Sequence, residues 1–204
     1  MKIKRIIGGN IESNGYVIYD NEGGTGYVID PGYNPERYIS VIRKLELTIA
    51  GILLTHHHYD HVGAVDKIKA CTGCKVYLHR EDCDIYKKNI DVMPEHGDRI
   101  QMDEDELVVL HTPGHTRGSV CFFSEKSKLV FTGDTIFNVD LGRTDLADGS
   151  TAQMQRSMKD IADKWGNDIT IYPGHGDPAT MKYVRKHNKE FCDLVRFMGL
   201  TPGQ

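Results

Sequence analysis

Residues Thr55 to Gly63 read T-H-H-H-Y-D-H-V-G, so His56, His58, Asp60 and His61 form an H-x-H-x-D-H array. Imidazole and carboxylate donors without thiolate suit Zn²⁺, with Fe or Mn as alternatives. The apolar run Gly51-Ile52-Leu53-Leu54 ahead of the array reads as a short buried strand, and Val62 to Ile68 behind it has helical spacing. The array therefore falls on a loop between strand and helix, where side chains converge on one point. A surface poly-His tract would lack the apolar flanks and the aspartate.

One array does not complete a catalytic site, so further donors must come from other loops. Three segments have the right form: Thr112-Pro113-Gly114-His115-Thr116, Phe131-Thr132-Gly133-Asp134-Thr135 and Tyr172-Pro173-Gly174-His175-Gly176. Each sets one donor at the C-terminal end of a predicted strand beside glycine, where backbone can crowd close to an ion. Singly, a histidine in a turn is more often solvated than a ligand. Together, behind the array, the three point to one metal centre.

The elements that must position these loops follow from periodicity and turn chemistry. Alternating runs at 3–7, 15–19 and 25–29 predict an antiparallel meander, with Asp20 to Gly24 as a turn. Asn34 as N-cap and Pro35 open a helix whose apolar face is Tyr38, Val41, Ile42 and Leu45. After the metal loop, the pattern predicts a helix over 61–71, a strand over 75–79, a helix over 81–88 and strands over 107–111, 119–124 and 129–131. Loops are expected at 90–106 and 136–150. Ser150 to Gln153 matches a capping box, and the helix it opens carries Met154, Met158, Ile161 and Trp165 on one stripe. A strand over 169–172 precedes a final helix at about 179–198, which ends at Gly199 with Pro202 just beyond and a short polar tail. Mixed strands with interspersed helices, in two similar halves, predict an α/β or α+β layered domain.

Composition narrows the function classes. The 204 residues suit one domain, 1–204, with no linker or repeat to divide it. Charges of both signs are mixed along the chain at a net charge of −4, leaving no basic stripe for nucleic acid. No apolar run is long enough to span a membrane, and no export signal precedes the first strand. Five unevenly spaced cysteines are then expected as free thiols in a reducing cytoplasm. Cys71 and Cys74 form a lone C-x-x-C without the second pair a structural zinc site needs, so packing or surface thiols are expected.

Thr55–Ala64, Thr112–Ser119, Gly133–Thr135 and Gly174–Gly176 resemble the ordered motifs of the metallo-β-lactamase superfamily, and Val28-Ile29-Asp30-Pro31-Gly32 resembles its N-terminal aspartate motif. The resemblance spans nearly the whole chain and is nearest the glyoxalase II-like, single-domain hydrolases. It implies a four-layer αββα sandwich with metals along one edge where two sheets meet. It also implies that His56, His58 and His115 hold one metal, that Asp60, His61 and His175 hold a second, and that Asp134 bridges them. Two divalent ions in such an arrangement hold a bridging hydroxide as nucleophile. Asp60 is in addition a candidate proton relay. Asp30 is placed behind the ligands, orienting one of them or the metal loop. His57 alternates with the ligands and should point away, while His79, His96, His111 and His187 lack ligand context.

The resemblance implies hydrolysis of a small-molecule thioester, glyoxalase-like in its His57 and Tyr59; from the charge and hydropathy above, no membrane or nucleic-acid partner is expected. Two departures bear on the substrate. The helical domain that helps hold glutathione in two-domain glyoxalase II is not expected in a 204-residue chain. Arg143, in Gly142-Arg143-Thr144-Asp145-Leu146, matches the family's basic contact residue, but Asp145 stands where an aromatic is expected. Arg143 is a candidate clamp for a substrate carboxylate. The rival reading on the same fold is a persulfide dioxygenase with one iron at His56, His115 and Asp134, followed by a lactonase or other ester hydrolase.

Overall fold

The computed structural model describes residues 1–199; Pro202 and the polar tail around it lie outside the described residues. Lys2–Gly8 (β1), Ser13–Tyr19 (β2) and Thr25–Ile29 (β3) form the expected antiparallel meander. Thr48–Leu53 (β4) adds parallel to β3, and Lys75–Tyr77 (β5) adds parallel to β4. The second sheet has the order β11-β10-β9-β8-β7-β6, made of Arg99–Gln101 (β6), Glu106–His111 (β7), Val120–Ser124 (β8), Leu129–Gly133 (β9), Thr170–Pro173 (β10) and Ala179–Thr180 (β11). In it only β9 and β10 run parallel.

Alternation along the strands sorts apolar side chains into three cores. Val17 and Tyr19 of β2 face Tyr38 and Ile42 of helix Pro35–Lys44 (α1) and Val65 and Ile68 of helix Val65–Thr72 (α3). Tyr16 and Ile18, one residue out of step, face the other sheet and meet Phe122, Leu129 and Phe131. On the far side of the second sheet, Val130 and Ile171 pack against the predicted Met154, Met158, Ile161 and Trp165 stripe at helix Thr151–Lys164 (α5). Helix, sheet, sheet and helix in that order are the four-layer αββα sandwich.

Four expectations are corrected. The helix expected over 61–71 is two short ones, Tyr59–Val62 (α2) and α3, because Gly63 packs against Gly32: a Cβ at Gly63 would lie 2.4 Å from the Gly32 carbonyl oxygen. The loop over 90–106 contains β6, too short for an alternation signal. Asn34 precedes α1 in a left-handed conformation (φ 55°), without capping through its side chain; its small polar side chain tolerates that backbone. The helix expected over 179–198 is β11 followed by Met181–His187 (α6) and Lys189–Phe197 (α7). Between them Asn188 caps α7, accepting from the Phe191 N–H at 2.9 Å, and donates to the carbonyls of Phe137 and Asp140. These bonds tie the chain ends of that region together and end α6 early.

The C-x-x-C does not act as a pair: Cys71 is exposed at the end of α3 and Cys74 is buried beyond Gly73, which turns the chain at φ 70°. Among the described residues no helix is long and apolar enough to cross a membrane.

Candidate metal centre

Strand ends deliver the donors to one edge of the sandwich. β4 leads into Thr55 and His56, β9 into Asp134, β10 into His175, and the turn after β7 into His115. The seven residues His56, His58, Asp60, His61, His115, Asp134 and His175 come together at that edge. His58 Nδ1 and His115 Nε2 lie 2.9 Å apart, and His56 joins them in a cluster whose donor atoms are all within 4.8 Å of one another. Asp60, His61 and His175 form a second such cluster, with Asp60 Oδ2 3.2 Å from the Nε2 of both histidines. Asp134 stands between the two: its Oδ2 is 3.5 Å from His115 Nε2 and 3.5 Å from His175 Nε2, and its Oδ1 is 3.3 Å from His61 Nε2.

The far side of most imidazoles is held. His115 Nδ1 donates to the Arg143 carbonyl at 2.8 Å, and His175 Nδ1 to the Ile11 carbonyl at 3.0 Å. His56 Nδ1 meets the Thr55 hydroxyl at 3.0 Å, and His61 Nδ1 meets Asp30 Oδ2 at 3.2 Å. A second-nitrogen contact of this kind sets the tautomer and aims the other nitrogen's lone pair inward. Asp30 itself is buried at φ 46° and accepts from the Thr55 N–H at 2.8 Å and the Thr55 hydroxyl at 2.6 Å. Its carboxylate therefore contacts the metal loop at Thr55 and His61 together.

The donor set fits a cation on observations of its own. His56 Nε2, His61 Nε2 and Asp134 Oδ1 are buried with no hydrogen-bond partner, which costs free energy unless something else binds them. Burial pushes the His56 imidazole well below its usual pKa, and the neighbouring His61, His115 and His58 push it the same way. Burial also brings His58 down to about 4. These two are neutral nitrogen donors at physiological pH. Across the site burial opposes a charge on His175, but Asp134 and Asp60 beside it prevail and raise it to about 10. That inversion marks a concentration of carboxylate charge, which a divalent cation neutralises better than a proton. Room is conserved by glycine: a Cβ at Gly174 would lie 2.1 Å from Asp134 Oδ1 and 2.6 Å from His61 Cε1.

His57 lies with its Nδ1 2.9 Å from Asp82 Oδ2 and its Nε2 3.7 Å from Asp148 Oδ2, and with His58 and Asp148 it forms a further group whose ligand atoms are within 4.8 Å of one another. Asp82 is a residue the sequence reading missed. Fully buried in the first turn of helix Arg80–Tyr86 (α4), it accepts from the N–H of His57 at 3.0 Å and of Gly118 at 2.7 Å, and from the Thr116 hydroxyl at 2.9 Å. One carboxylate thus clamps the loop carrying His56, His58, Asp60 and His61 to the loop carrying His115. An acid in the first turn of a helix looks like an ordinary dipole partner, so only its burial reveals the role. His79 and His111 stack on each other at 4.2 Å, away from the centre.

A cleft of about 490 Å³ opens beside the donors, floored by His115, Asp134 and His175 and walled by Phe137, Val139 and Leu141. Arg143 reaches its edge, but its guanidinium is engaged by Asp145, Nε to Oδ1 at 2.7 Å and Nη2 to Oδ2 at 2.9 Å.

The metallo-beta-lactamase superfamily model matches residues 8–175, which hold the whole centre. The hydroxyacylglutathione hydrolase GloC of Haemophilus influenzae is 32% identical over 195 residues, covering 87% of this chain and 92% of that protein. The structure of TTHA1623 in a di-iron-bound form aligns at a TM-score of 0.82 and 30% identity, over 91% of this chain and 98% of the other. ETHE1 from Myxococcus xanthus shares the fold at a TM-score of 0.82 and 24% identity, over 98% of this chain and 90% of that one. From its motifs, its sandwich and its donor clusters, the chain belongs to the metallo-beta-lactamase superfamily.

Proposed function

We propose that this protein is a dinuclear metal-dependent hydrolase of acyl thioesters. The observation that carries the reading is the shared carboxylate: Asp134 Oδ2 is equidistant from His115 and His175, each the member of a separate donor cluster. His56, His58 and His115 would hold one divalent ion, Asp60, His61 and His175 the other, with Asp134 between them. Zn²⁺ suits these donors, and Fe or Mn suits them as well. Two such ions would supply an activated water at neutral pH and positive charge for the developing oxyanion.

The chain's own residues supply the rest. Asp30, the Thr55 hydroxyl and the carbonyls of Arg143 and Ile11 fix imidazole orientation. Burial works against ionisation of Asp60, but His175 and His61 outweigh it and hold the carboxyl well below its usual range. Asp60, 3.2 Å from the Nε2 of both His61 and His175, would supply charge to the second ion, and a proton-relay role for it is part of the same proposal. Phe137 and Val139 make one wall of the cleft apolar. No serine or cysteine nucleophile is needed.

The similarity to GloC supports the thioester class, since that relative is by name a hydroxyacylglutathione hydrolase. Elemental analysis of protein purified without added metal, followed by thioester hydrolysis assays with S-lactoylglutathione, tests the reading. About two equivalents of metal and steady turnover are expected. A single iron per chain, with oxygen consumed on adding a glutathione persulfide, would replace it with the dioxygenase reading.

A further inference from the structure

The charge and apolarity of the cleft bear on which thioester enters it. Arg143 is the one lysine or arginine among the described residues lining the cleft, and Asp145 takes its guanidinium in a paired, planar contact. That hydrogen-bonded pair also holds the Asp145 carboxyl down to about 2, so the carboxylate stays charged and in competition throughout the physiological range. A substrate carboxylate arriving at Arg143 would displace an equivalent carboxylate already there, and the exchange gains little. The remaining charged group in the wall, Asp140, repels an anion.

The rim of the site is apolar instead. Phe137 stands with its ring 6.0 Å from that of His175, and Val139 beside it is 46% exposed. On the other side, Ile11, whose carbonyl holds His175, is 52% exposed. Tyr59, between the donors His58 and Asp60, is 67% exposed and edges onto Tyr33 at 6.1 Å. Val139 in the cleft wall, and Ile11 and Tyr59 next to the ligands by chain or by contact, are left exposed, with Phe137 half-buried beside Val139; such a surround matches a ligand that is itself uncharged at that distance from the reacting carbon.

From the thioesterase reading, we infer that the preferred substrate is an acyl thioester of an uncharged thiol, one without carboxylates, and that Asp145 sets this preference by withholding Arg143. In the reaction water adds to the acyl carbon, the C–S bond breaks and the thiol leaves with one proton, while the acid product carries the new C–O bond; no oxidant or reductant is involved.

The test compares two substrates with the same lactoyl group, one on N-acetylcysteamine and one on glutathione, with metal-loaded enzyme at low ionic strength. Wild-type kcat/KM is expected to be equal or higher for the N-acetylcysteamine thioester. Asp145→Asn is expected to raise kcat/KM for the glutathione thioester about two- to fivefold, through KM, the range set by freeing one exposed ion pair. Adding Arg143→Ala to that variant should remove the gain. A wild-type preference of tenfold or more for the glutathione thioester, lost in Arg143→Ala alone, would overturn the inference and leave thioester hydrolysis standing. An unchanged substrate ratio in Asp145→Asn would overturn the role of Asp145. Turnover of neither thioester would overturn the thioesterase reading along with it.

Discussion

Asp82 offers the sharpest check on how the centre is held. Truncating it to alanine removes the acceptor for the His57 and Gly118 N–H groups; the Thr116 hydroxyl keeps Ser119 Oγ at 2.8 Å. Burial alone would raise the Asp82 pKa, but the His57 contacts and the Thr116 and Gly118 donors outweigh it and keep the carboxyl below its usual range. It is therefore an ionised acceptor at neutral pH, and charge strengthens each bond. Leaving one buried donor unsatisfied costs about 1–3 kcal/mol, so two orphaned backbone N–H groups predict a loss of about 2–6 kcal/mol. Against a typical total of about 5–15 kcal/mol, that is a large fraction. Urea unfolding of metal-stripped protein, followed by far-UV circular dichroism, measures it free of any metal contribution. Asp82→Asn, which keeps one acceptor oxygen, should fall between wild type and Asp82→Ala. The two ligand loops also lose their common anchor, so the metal content of Asp82→Ala should drop below that of wild type. A midpoint shift worth less than about 1 kcal/mol, together with unchanged metal content, would refute the idea that this carboxylate joins the loops.

Other residues give independent predictions. Gly174→Ala puts a Cβ where Asp134 Oδ1 and His61 Cε1 now lie, so bound metal should fall by about one equivalent while the circular dichroism spectrum is kept; full metal content would contradict the close approach. Asp30→Asn turns an amide toward a donor of Thr55 or His61, and metal affinity measured by competition with a chelating dye should weaken about 10–100-fold. Acid stability should depend on Asp105, away from the centre: burial raises its pKa, but the Ser127 and Ser124 hydroxyls and the Glu106 N–H outweigh this and lower it. Its contribution is therefore complete above the unfolded value of about 3.9 and is lost as pH falls through the lower folded value. The wild-type advantage over Asp105→Asn in urea midpoint should be present at pH 7 and shrink as the pH is taken below about 4; a constant difference would show that the carboxylate is not responsible.

The donors were legible because chemistry and spacing coincide: an H-x-H-x-D-H array has few structural uses, and glycine beside His115, Asp134 and His175 marks backbone packed close. The long elements were legible for the same kind of reason, as with the Met154–Trp165 stripe, whose period and capping serine agree. What failed was short or tertiary. β6 has three residues, below the reach of any periodicity. The break at Asn188 depends on carbonyls of Phe137 and Asp140, about fifty positions away, and such partners leave no local trace. Asp82 and the Asp145 contact with Arg143 belong with these: residue type says carboxylate, and only packing says which donor it meets.

The two sheets also divide the chain in order, β1–β5 within residues 2–77 and β6–β11 within residues 99–180. Each can gain most of its pairing from its own stretch of chain, which keeps loop-closure distances modest and favours early collapse of either part. Yet His56, His58, Asp60 and His61 follow the first sheet's strands and His115, Asp134 and His175 follow the second's. Neither part alone offers more than a fragment of the donor set. The complete donor set thus forms only where the two sheets meet, and metal present during refolding should slow re-separation of the parts more than it speeds their formation.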